Sequence, residues 1–330
     1  MCSPASLSCR QDKIDLKSVE KGQLGYDSEY LRIEHFDPKL FLEKHDFSRV
    51  FSAHRLDITS KAMGNTSAFE LVSTMKFFPK LSKLQVCPYT LRSDRTRLTT
   101  EERNHIFLAS SHFFNSVQTL DLSHNPIDDE MINVLSMMRG LKEVVLRSCK
   151  INESTFKKIQ ESVSVKKMNL GYNALHYPLY KKLLFISEDY FGSNSMLQEL
   201  VLERSNLSGH LLRGIGSLKR LKRLDIYSNH LPNSAYVHLL NLKSLESLRM
   251  GGNKFNKHSI KKVFLGLKTL RSISFDDFEG ANDMAREREV RRPFESWHCY
   301  PRLTGSKIAV FSRVADEKPW LSFSFLSGEE

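Results

Sequence analysis

The sequence predicts an α/β solenoid with parallel strands on its concave side and helices on its convex side. An eleven-residue pattern recurs along the 330-residue chain, with apolar residues at its first, fourth, sixth and eleventh positions. The copies follow one another at a nearly constant step, which is typical of a repeat architecture. Between copies, apolar residues recur at helical spacing. Six firm copies begin at Val117, Leu141, Val165, Leu197, Leu221 and Leu245, a weaker one begins at Leu81, and degenerate ones begin at Ala53 and Leu270.

Each copy first supplies a short strand. Its fourth and sixth residues alternate with exposed positions, as expected for a strand with one face turned inward. The ninth residue is often Asn, whose amide both donates and accepts, so we expect it to satisfy backbone groups in the turn that ends the strand. Cys149 and Ser205 take this position in two copies. The asparagines at the ninth position are Asn125, Asn173, Asn229 and Asn253.

The remaining half of each copy is predicted to be helical. The segment 128–138, DDEMINVLSMM, opens with acidic residues, which favour a helix N-terminus, and continues with apolar residues at helical spacing. A longer helix after Pro178 accounts for the step of 32 residues between Val165 and Leu197. Since one copy cannot bury its own apolar face, the copies must stack on one another.

These copies resemble the repeats of the leucine-rich repeat family, whose consensus has the same apolar positions and the same Asn. The resemblance covers about residues 53–280, and Cys is an accepted substitute for the Asn in this family. It implies a leucine-rich repeat solenoid with the shape of a curved horseshoe. The lack of an apolar signal-peptide stretch favours the intracellular type. The resemblance also implies that binding specificity lies in the residues between the pattern positions.

Four segments are expected along the chain. Residues 1–28 are polar and predicted to be disordered or weakly ordered, and residues 29–52 hold aromatic and aliphatic residues for an N-terminal cap. Residues 53–280 form the repeats. Residues 281–330 are predicted to form a C-terminal cap or tail, with a charged helix and one or two short strands that cover the end of the solenoid.

Composition favours a globular protein of the cytoplasm, with the nucleus as the alternative. Hydrophobic residues make up 40% of the chain and charged residues 26%, which is ordinary for a globular protein. No apolar run approaches the length of a membrane span, and the N-terminus has no apolar stretch of signal-peptide length. The five cysteines are not clustered as they are in the caps of secreted leucine-rich repeat proteins.

The sequence offers no set of residues for catalysis, so we expect a protein that is not an enzyme and that uses no cofactor or metal. It contains no glycine-rich phosphate loop and no Gly-x-Ser-x-Gly elbow. His298 and Cys299 are adjacent, but no second pair lies at zinc-ligand spacing.

The candidate binding residues stand at the third, fifth, seventh and eighth positions of the copies, which we expect to point to the concave surface. Arg and Tyr are the residue types that often dominate protein interfaces. Val145 and Val201 are apolar at positions that we expect to be exposed. The residues predicted to bind the partner are Arg147, Tyr172, Glu203, Arg223, Tyr227 and Arg249.

The leading hypothesis is a non-catalytic interaction module that binds a partner protein through the concave face. The net charge of +11 and the basic run from Arg213 to Arg223 are interpreted first as solvated outer faces, and the alternative is attraction to an acidic protein, RNA or an anionic membrane surface. Basic residues are expected to scatter across the copies, which argues against nucleic acid. Two alternatives remain: a basic structural subunit of a ribonucleoprotein or other large assembly, and a substrate-recognition subunit of a ubiquitin ligase.

Overall fold

The computed structural model describes residues 11–20, 23–59, 68–86, 110–175, 196–276, 281–291, 298–300 and 308–312. The chain divides into two compact units, Met1–Lys150 and Ile151–Glu330, called the N-terminal unit and the C-terminal unit. The predicted long helix after Pro178 lies outside the described residues, as do Cys2, Cys9 and Cys87.

In the N-terminal unit, the strands pair in parallel, each with the next along the chain. Fourth-position residues stand opposite one another, so that Leu56 pairs with Leu84 and Leu84 with Leu120. The described strands are β1 (Gln11–Asp15), β2 (Tyr30–Glu34), β3 (Arg55–Ile58), β4 (Lys83–Val86), β5 (Thr119–Asp121) and β6 (Glu143–Val145). The described helices are α1 (Pro38–Lys44), α2 (Ala68–Thr74), α3 (Ser111–Ser116) and α4 (Asp129–Met137), with a 3-10 turn at Met75–Phe77.

In the C-terminal unit, β7 to β11 pair in parallel and two later strands extend the sheet. The described strands are β7 (Lys167–Asn169), β8 (Glu199–Val201), β9 (Arg223–Asp225), β10 (Ser247–Arg249), β11 (Ser272–Asp276), β12 (His298–Tyr300) and β13 (Ile308–Ser312). The described helices are α5 (Glu153–Ser162), α6 (Gly209–Ile215), α7 (Tyr236–Leu239), α8 (Lys257–Gly266) and α9 (Ala281–Arg291), with a 3-10 turn at Asn233–Ala235.

The apolar pattern positions form the core of both units. The first residue of each of the nine predicted copies is at most 5% exposed. A strand begins two residues later in every copy, so the nine copies correspond to strands β3 to β11. Full burial of a leucine side chain stabilises the folded state by about 1.5–3 kcal/mol. The predicted α/β fold of stacked strands and helices is therefore confirmed.

Polar residues cap the helices that follow the turns. Asp128 Oδ1 accepts the N–H of Met131 at 2.9 Å at the start of α4, whose first turn is acidic as predicted. Asn152 and Asn256 cap α5 and α8 in the same way. A cap of this kind contributes about 1 kcal/mol to stability.

The asparagines at the ninth position bind backbone groups of their own turn, as predicted, and also backbone groups of the neighbouring copy. The Nδ2 of Asn229 donates to the carbonyl oxygens of Leu202 and Ile226 at 2.8 and 2.9 Å. Its Oδ1 accepts the N–H groups of Ser205 and Leu207 at 3.0 and 2.9 Å. The ninth-position asparagine of the next copy repeats this arrangement. One amide therefore closes the turn and joins two copies.

Cys149 and Ser205 reproduce the donating half of this arrangement. The Cys149 Sγ lies 3.2 Å from the carbonyl oxygen of Leu122, and the Ser205 Oγ lies 2.7 Å from that of Leu170. In other copies, the asparagine side-chain oxygen accepts a backbone N–H. In the copies of Cys149 and Ser205, the equivalent N–H donates to a main-chain carbonyl oxygen instead. The N–H of Leu175 donates to the main-chain oxygen of Ser205 at 2.8 Å. The main-chain oxygen of Cys149 accepts an N–H in the same way.

The sheet begins before the predicted repeats. Strand β1 lies within residues 1–28, for which we expected little order, and β2 lies within the predicted cap. Both continue the parallel ladder into β3. The sequence pattern missed them because Asp12 stands at an apolar fourth position and Ser28 at an apolar first position. These two side chains are hydrogen-bonded to each other, so the polar pair is satisfied.

The C-terminal segment supplies the charged helix and two short strands. Strand β13 pairs antiparallel with β11, and β12 pairs antiparallel with β13, so the free edge of β11 is covered. In α9, Arg288 is only 1% exposed. Its guanidinium donates to the carbonyl oxygens of Leu267 and Leu270 at 3.2 and 3.1 Å, and to that of Phe264. A side chain from the charged helix thus holds the turn that precedes β11.

Candidate functional site

One face of the sheet in the C-terminal unit carries the third and fifth residues of each copy. The parallel register aligns these residues in two rows across β7 to β11. Neighbouring strands lie about 4.8 Å apart, so adjacent members of a row are within contact distance. The third-position row is Lys167, Glu199, Arg223, Ser247 and Ser272, and the fifth-position row is Asn169, Val201, Asp225, Arg249 and Ser274. These rows and the seventh and eighth residues of the copies, which follow the strands, are called the sheet face.

Arg249 is the centre of the sheet face. Its Nη1 lies 2.9 Å from Asp225 Oδ2 and 3.4 Å from Glu203 Oε2. Its Cζ lies 4.2 Å from the centroid of the Tyr227 ring, within the distance of a cation–π interaction. Two carboxylates and one aromatic ring therefore fix the guanidinium, which keeps 25% of its side chain exposed.

Asp225 is the buried carboxylate that pairs with Arg249 in this cluster. It stands directly opposite Arg249 in the strand register, and its Oδ1 accepts the N–H of Tyr227 at 2.8 Å. Burial raises the pKa of the Asp225 carboxyl above its usual value, although the charge of Arg249 opposes that change. Burial also lowers the pKa of Arg249, but the charges of Asp225 and Glu203 outweigh it and the pKa is raised. The guanidinium therefore stays charged.

Two turns extend the cluster beyond the strand ends. The Tyr172 hydroxyl donates to Glu203 Oε1 at 3.2 Å, and the Cζ of Arg204 lies 5.5 Å from the Tyr172 ring centroid. Tyr172 and Arg204 occupy the eighth position of their copies with φ values of 60° and 49°. The left-handed backbone is the shape of this turn in neighbouring copies as well. The connected residues Tyr172, Glu203, Arg204, Asp225, Tyr227 and Arg249 are called the network.

Four of the six predicted binding residues belong to the network, and two lie elsewhere. Arg223 is in the third-position row, where its Nη1 lies 3.4 Å from Glu199 Oε1. The same carboxylate oxygen lies 3.5 Å from Lys167 Nζ. Arg147 belongs to the N-terminal unit, where its main-chain oxygen accepts the N–H of His124 at 2.7 Å. The network thus brings together Tyr172, Glu203, Tyr227 and Arg249.

The expectation that Val145 and Val201 are exposed is wrong. Val145 is 2% exposed and Val201 is 4% exposed. Both occupy the fifth position, where close-set neighbouring strands cover a small side chain. At this position only a long side chain, such as that of Arg249, reaches the surface.

The sheet face has a mixed charge and is ordered before any partner binds. Acidic and basic groups alternate between neighbouring strands, as in the pair Asp225–Arg249 and the pair Glu199–Arg223. Across the described residues, no group of three or more His, Cys, Asp and Glu could hold a metal ion. No helix in the same ranges is long and apolar enough to cross a membrane. Chemically, the face is suited to polar recognition with aromatic contacts.

The sequence interpretation placed Asp225 and Arg204 at candidate surface positions but did not select them as partner-binding residues. Asp225 stands at the fifth position of one copy and Arg249 at the fifth position of the next, 24 residues later. Since equivalent positions of adjacent copies are neighbours in a parallel sheet, this spacing is the signal that could have predicted the ion pair.

The comparison with family models agrees with the repeat pattern. The family model of the leucine-rich repeat matches residues 116–138. No curated protein sequence matches the chain. The chain is similar to an internalin from Listeria monocytogenes, with 16% identity and a TM-score of 0.45 over 74% of this chain and 60% of that one. It is also similar to the TLR13 of a TLR13–ssRNA13 complex, with 18% identity and a TM-score of 0.44 over 78% and 43%. It therefore spans less than two thirds of either structure.

The matched residues 116–138 contain strand β5, the ninth-position Asn125 and most of helix α4. Strands β3 to β11 and their buried pattern residues repeat this arrangement copy by copy. The chain therefore contains a leucine-rich repeat at residues 116–138, and the strands on either side repeat its pattern.

Proposed function

We propose that this protein is a non-catalytic interaction module that binds a partner protein through the sheet face of the C-terminal unit. The network is the observation that supports this function. It holds two tyrosine rings and two arginines at the ends of neighbouring strands, and these residue types are enriched at the energetic centres of protein interfaces.

Pre-ordering of the network favours binding. Arg249 and Tyr227 are fixed against each other, and Tyr172 is fixed by Glu203. A side chain that is already immobilised loses less conformational entropy on association, which otherwise costs about 0.5–1.5 kcal/mol for each flexible side chain. The face can therefore recognise a partner without first reorganising.

The mixed charge of the sheet face favours a protein over a polyanion as its ligand. Glu199 and Glu203 lie among the basic side chains, so a row of phosphates would meet carboxylates at close range. A protein surface can present both signs in a matching order, which gives specificity as well as faster association.

The test compares two triple variants that each remove one tyrosine ring and reverse two positive charges. Tyr172→Ala/Arg204→Glu/Arg223→Glu alters the sheet face. Arg249 is left in place, because a third acid beside Asp225 and Glu203 would destabilise the fold. The control variant alters surfaces away from the sheet face and carries Tyr236→Ala, Lys157→Glu and Lys254→Glu.

Tagged wild-type and variant proteins are used to capture partners from the native cell, with quantitative mass spectrometry as the readout. We expect a protein that the wild type and the control retain, and that the face variant retains at least about tenfold less, since one interface anchor is worth about 2 kcal/mol or more. Equal retention by all three proteins would contradict the proposal. Circular dichroism checks that each variant is folded.

A further inference from the structure

A second surface of the C-terminal unit is strongly basic. The turns that enter β9, β10 and β11 carry six exposed cations, called the basic edge. Two of them, Lys222 and Arg271, keep 52% and 60% of their side chains exposed. In these three turns Glu246 is the one acidic side chain among residues 217–222, 241–246 and 266–271. The basic edge consists of Lys219, Arg220, Lys222, Lys243, Lys268 and Arg271.

The basic edge arises from the repeat itself. The motif Leu-Lys-x-Leu occurs at 218–221, 242–245 and 267–270, so Lys219, Lys243 and Lys268 occupy the same position in three successive copies. The structure therefore corrects the expectation that basic residues scatter across the copies. In these copies they stand in register along one edge of the sheet.

Hydrogen bonds between the turns hold this register. The Oγ of Ser244 donates to the carbonyl oxygen of Lys219 at 2.7 Å. The Oγ1 of Thr269 donates to the carbonyl oxygen of Lys243 at 3.0 Å. Lys219 and Lys243 are thereby anchored by their backbones to the turn of the next copy. The side chains themselves extend from a fixed row.

Within these three turns, one acidic side chain stands among six basic ones. Glu246 Oε1 lies 3.1 Å from Lys222 Nζ, and its Oε2 lies 3.9 Å from Arg271 Nε. Both ion pairs are exposed, so they contribute little to stability. A compact row with a large excess of positive charge attracts anions, and the net charge of +11 has the same sign.

We propose that the basic edge binds the phosphate backbone of a nucleic-acid duplex without reading its sequence. Lys and Arg, together with Ser and Thr hydroxyls, are the side chains that make phosphate contacts, and Ser217, Ser244 and Thr269 lie among the cations. A duplex carries one negative charge for about every 1.7 Å of its axis. Turns that repeat about every 4.8 Å can therefore place several cations along one backbone.

The other side chains of these three turns favour a nucleic-acid duplex over other anionic ligands. The apolar residues of the three turns are buried, as Leu221 and Leu245 show, and no aromatic residue occurs in these turns. Single strands are usually held by stacking on aromatic rings. The centres of protein interfaces are depleted in Lys, and stable membrane attachment usually adds an apolar or lipid anchor to the charge.

The experiment measures binding of fluorescein-labelled RNA and DNA duplexes of the same sequence, by fluorescence anisotropy over a series of salt concentrations. The edge variant is Lys219→Glu/Lys243→Glu/Lys268→Glu, with a Gln version in case the Glu version fails to fold. The control variant, Lys157→Glu/Lys254→Glu/Lys262→Glu, changes the net charge by the same amount on other surfaces.

We expect the wild type to bind at least one duplex, with an association constant that falls steeply as salt rises. The slope of log K against log salt should become shallower by about 1 for each lysine replaced in the edge variant. The control variant should keep the wild-type slope.

Three results would overturn the proposal. They are no duplex binding by the wild type, an equal loss in both variants, and equally tight binding of polyglutamate or of phosphatidylcholine–phosphatidylserine vesicles. The basic edge shares no residue with the network, so the edge variant should still capture the partner protein of the sheet face. Failure of one proposal is thus distinguishable from failure of the other.

Discussion

At the scale of single residues, the ninth-position amide carries much of the cohesion between repeats in the copies that have one. Asn229 is only 2% exposed, and its side chain binds five backbone groups that belong to two copies. A buried polar group that loses its partner costs about 1–3 kcal/mol, so the amide stabilises the turn mainly by leaving no group unpaired. The sequence pattern predicted this role correctly, because the need to satisfy turn groups is local.

Replacing Asn229 with Ala should lower the free energy of unfolding by more than about 3 kcal/mol, because several buried backbone groups lose their partner at once. Asn229→Ser should cost less, since Ser205 shows that a hydroxyl can supply the donating half at this position. Urea unfolding followed by circular dichroism measures both values. A small and equal loss of unfolding free energy in the two variants would contradict this role of the amide in the turn.

Cys149 should be inert to thiol reagents in the folded protein. It is fully buried, and burial raises the pKa of its thiol to about 12. The thiolate, which is the reactive form, is therefore scarce near neutral pH. Alkylation by iodoacetamide, read by peptide mass spectrometry, should label the Cys149 peptide only after urea is added. Labelling of the native protein as fast as of the unfolded protein would be the contrary result.

At the scale of elements, contacts between strands and helices decide which side chains are ordered. The pair Asp225–Arg249 links β9 to β10, and Arg288 links α9 to the turn before β11. In both cases a long cationic side chain is held by groups from another element. These contacts are distant along the chain, so their effects are not visible in the pattern of any one copy.

Removal of the Arg249 charge should destabilise the fold in a way that depends on pH. Without it, burial raises the folded-state pKa of Asp225 further above its unfolded value of about 3.9. A raised folded-state pKa means that stability is present when the carboxyl is protonated and is lost as pH rises through that pKa. Arg249→Met should therefore cost little near about pH 4 and about 3–5 kcal/mol near about pH 7.

Urea unfolding at the two pH values measures this effect, and Arg223→Met is the control. Arg223 is 51% exposed, so its removal should cost less than about 1 kcal/mol at both values. A loss of stability in Arg249→Met that does not change with pH would show that Asp225 is not the group left uncompensated.

Replacing Arg288 with Met should loosen the C-terminal strands. The buried guanidinium donates to three carbonyl oxygens, which would lose charged partners worth about 1.5–3 kcal/mol each. We expect faster hydrogen exchange in β11 and β13 by mass spectrometry. Arg291→Met is the matched control, because Arg291 is 64% exposed and pairs with Glu287 on the surface. Equal exchange in both variants would refute the role of Arg288.

At the scale of the whole molecule, a periodic sequence made most of the fold predictable. Each copy buries apolar residues at the same pattern positions, so copies in phase support the same prediction. Even the degenerate copies at Ala53 and Leu270 were placed correctly. Strands β1 and β2 were missed because Asp12 and Ser28 break the apolar pattern and are satisfied by each other instead. Arg288 was not foreseen as a core residue, since a charged helix gives no local sign that one of its arginines is buried.

The candidate site was predictable in position but not in its contacts. Counting positions within a copy identified Tyr227 and Arg249 as residues of one face. It did not reveal that Arg249 is held by a buried Asp225, because that depends on how far each side chain is covered. Val201 is buried at a position that the pattern marks as exposed, because the flanking strands cover its side chain.

The most direct test of the sheet face as a partner-binding surface is photo-crosslinking in the native cell. A benzophenone amino acid replaces Tyr227 on the sheet face in one protein and Tyr236 in helix α7 in another. We predict that the Tyr227 position cross-links one main protein and that the Tyr236 position does not cross-link it. Cross-linking of that protein from Tyr236 alone, or equally from both positions, would contradict the account.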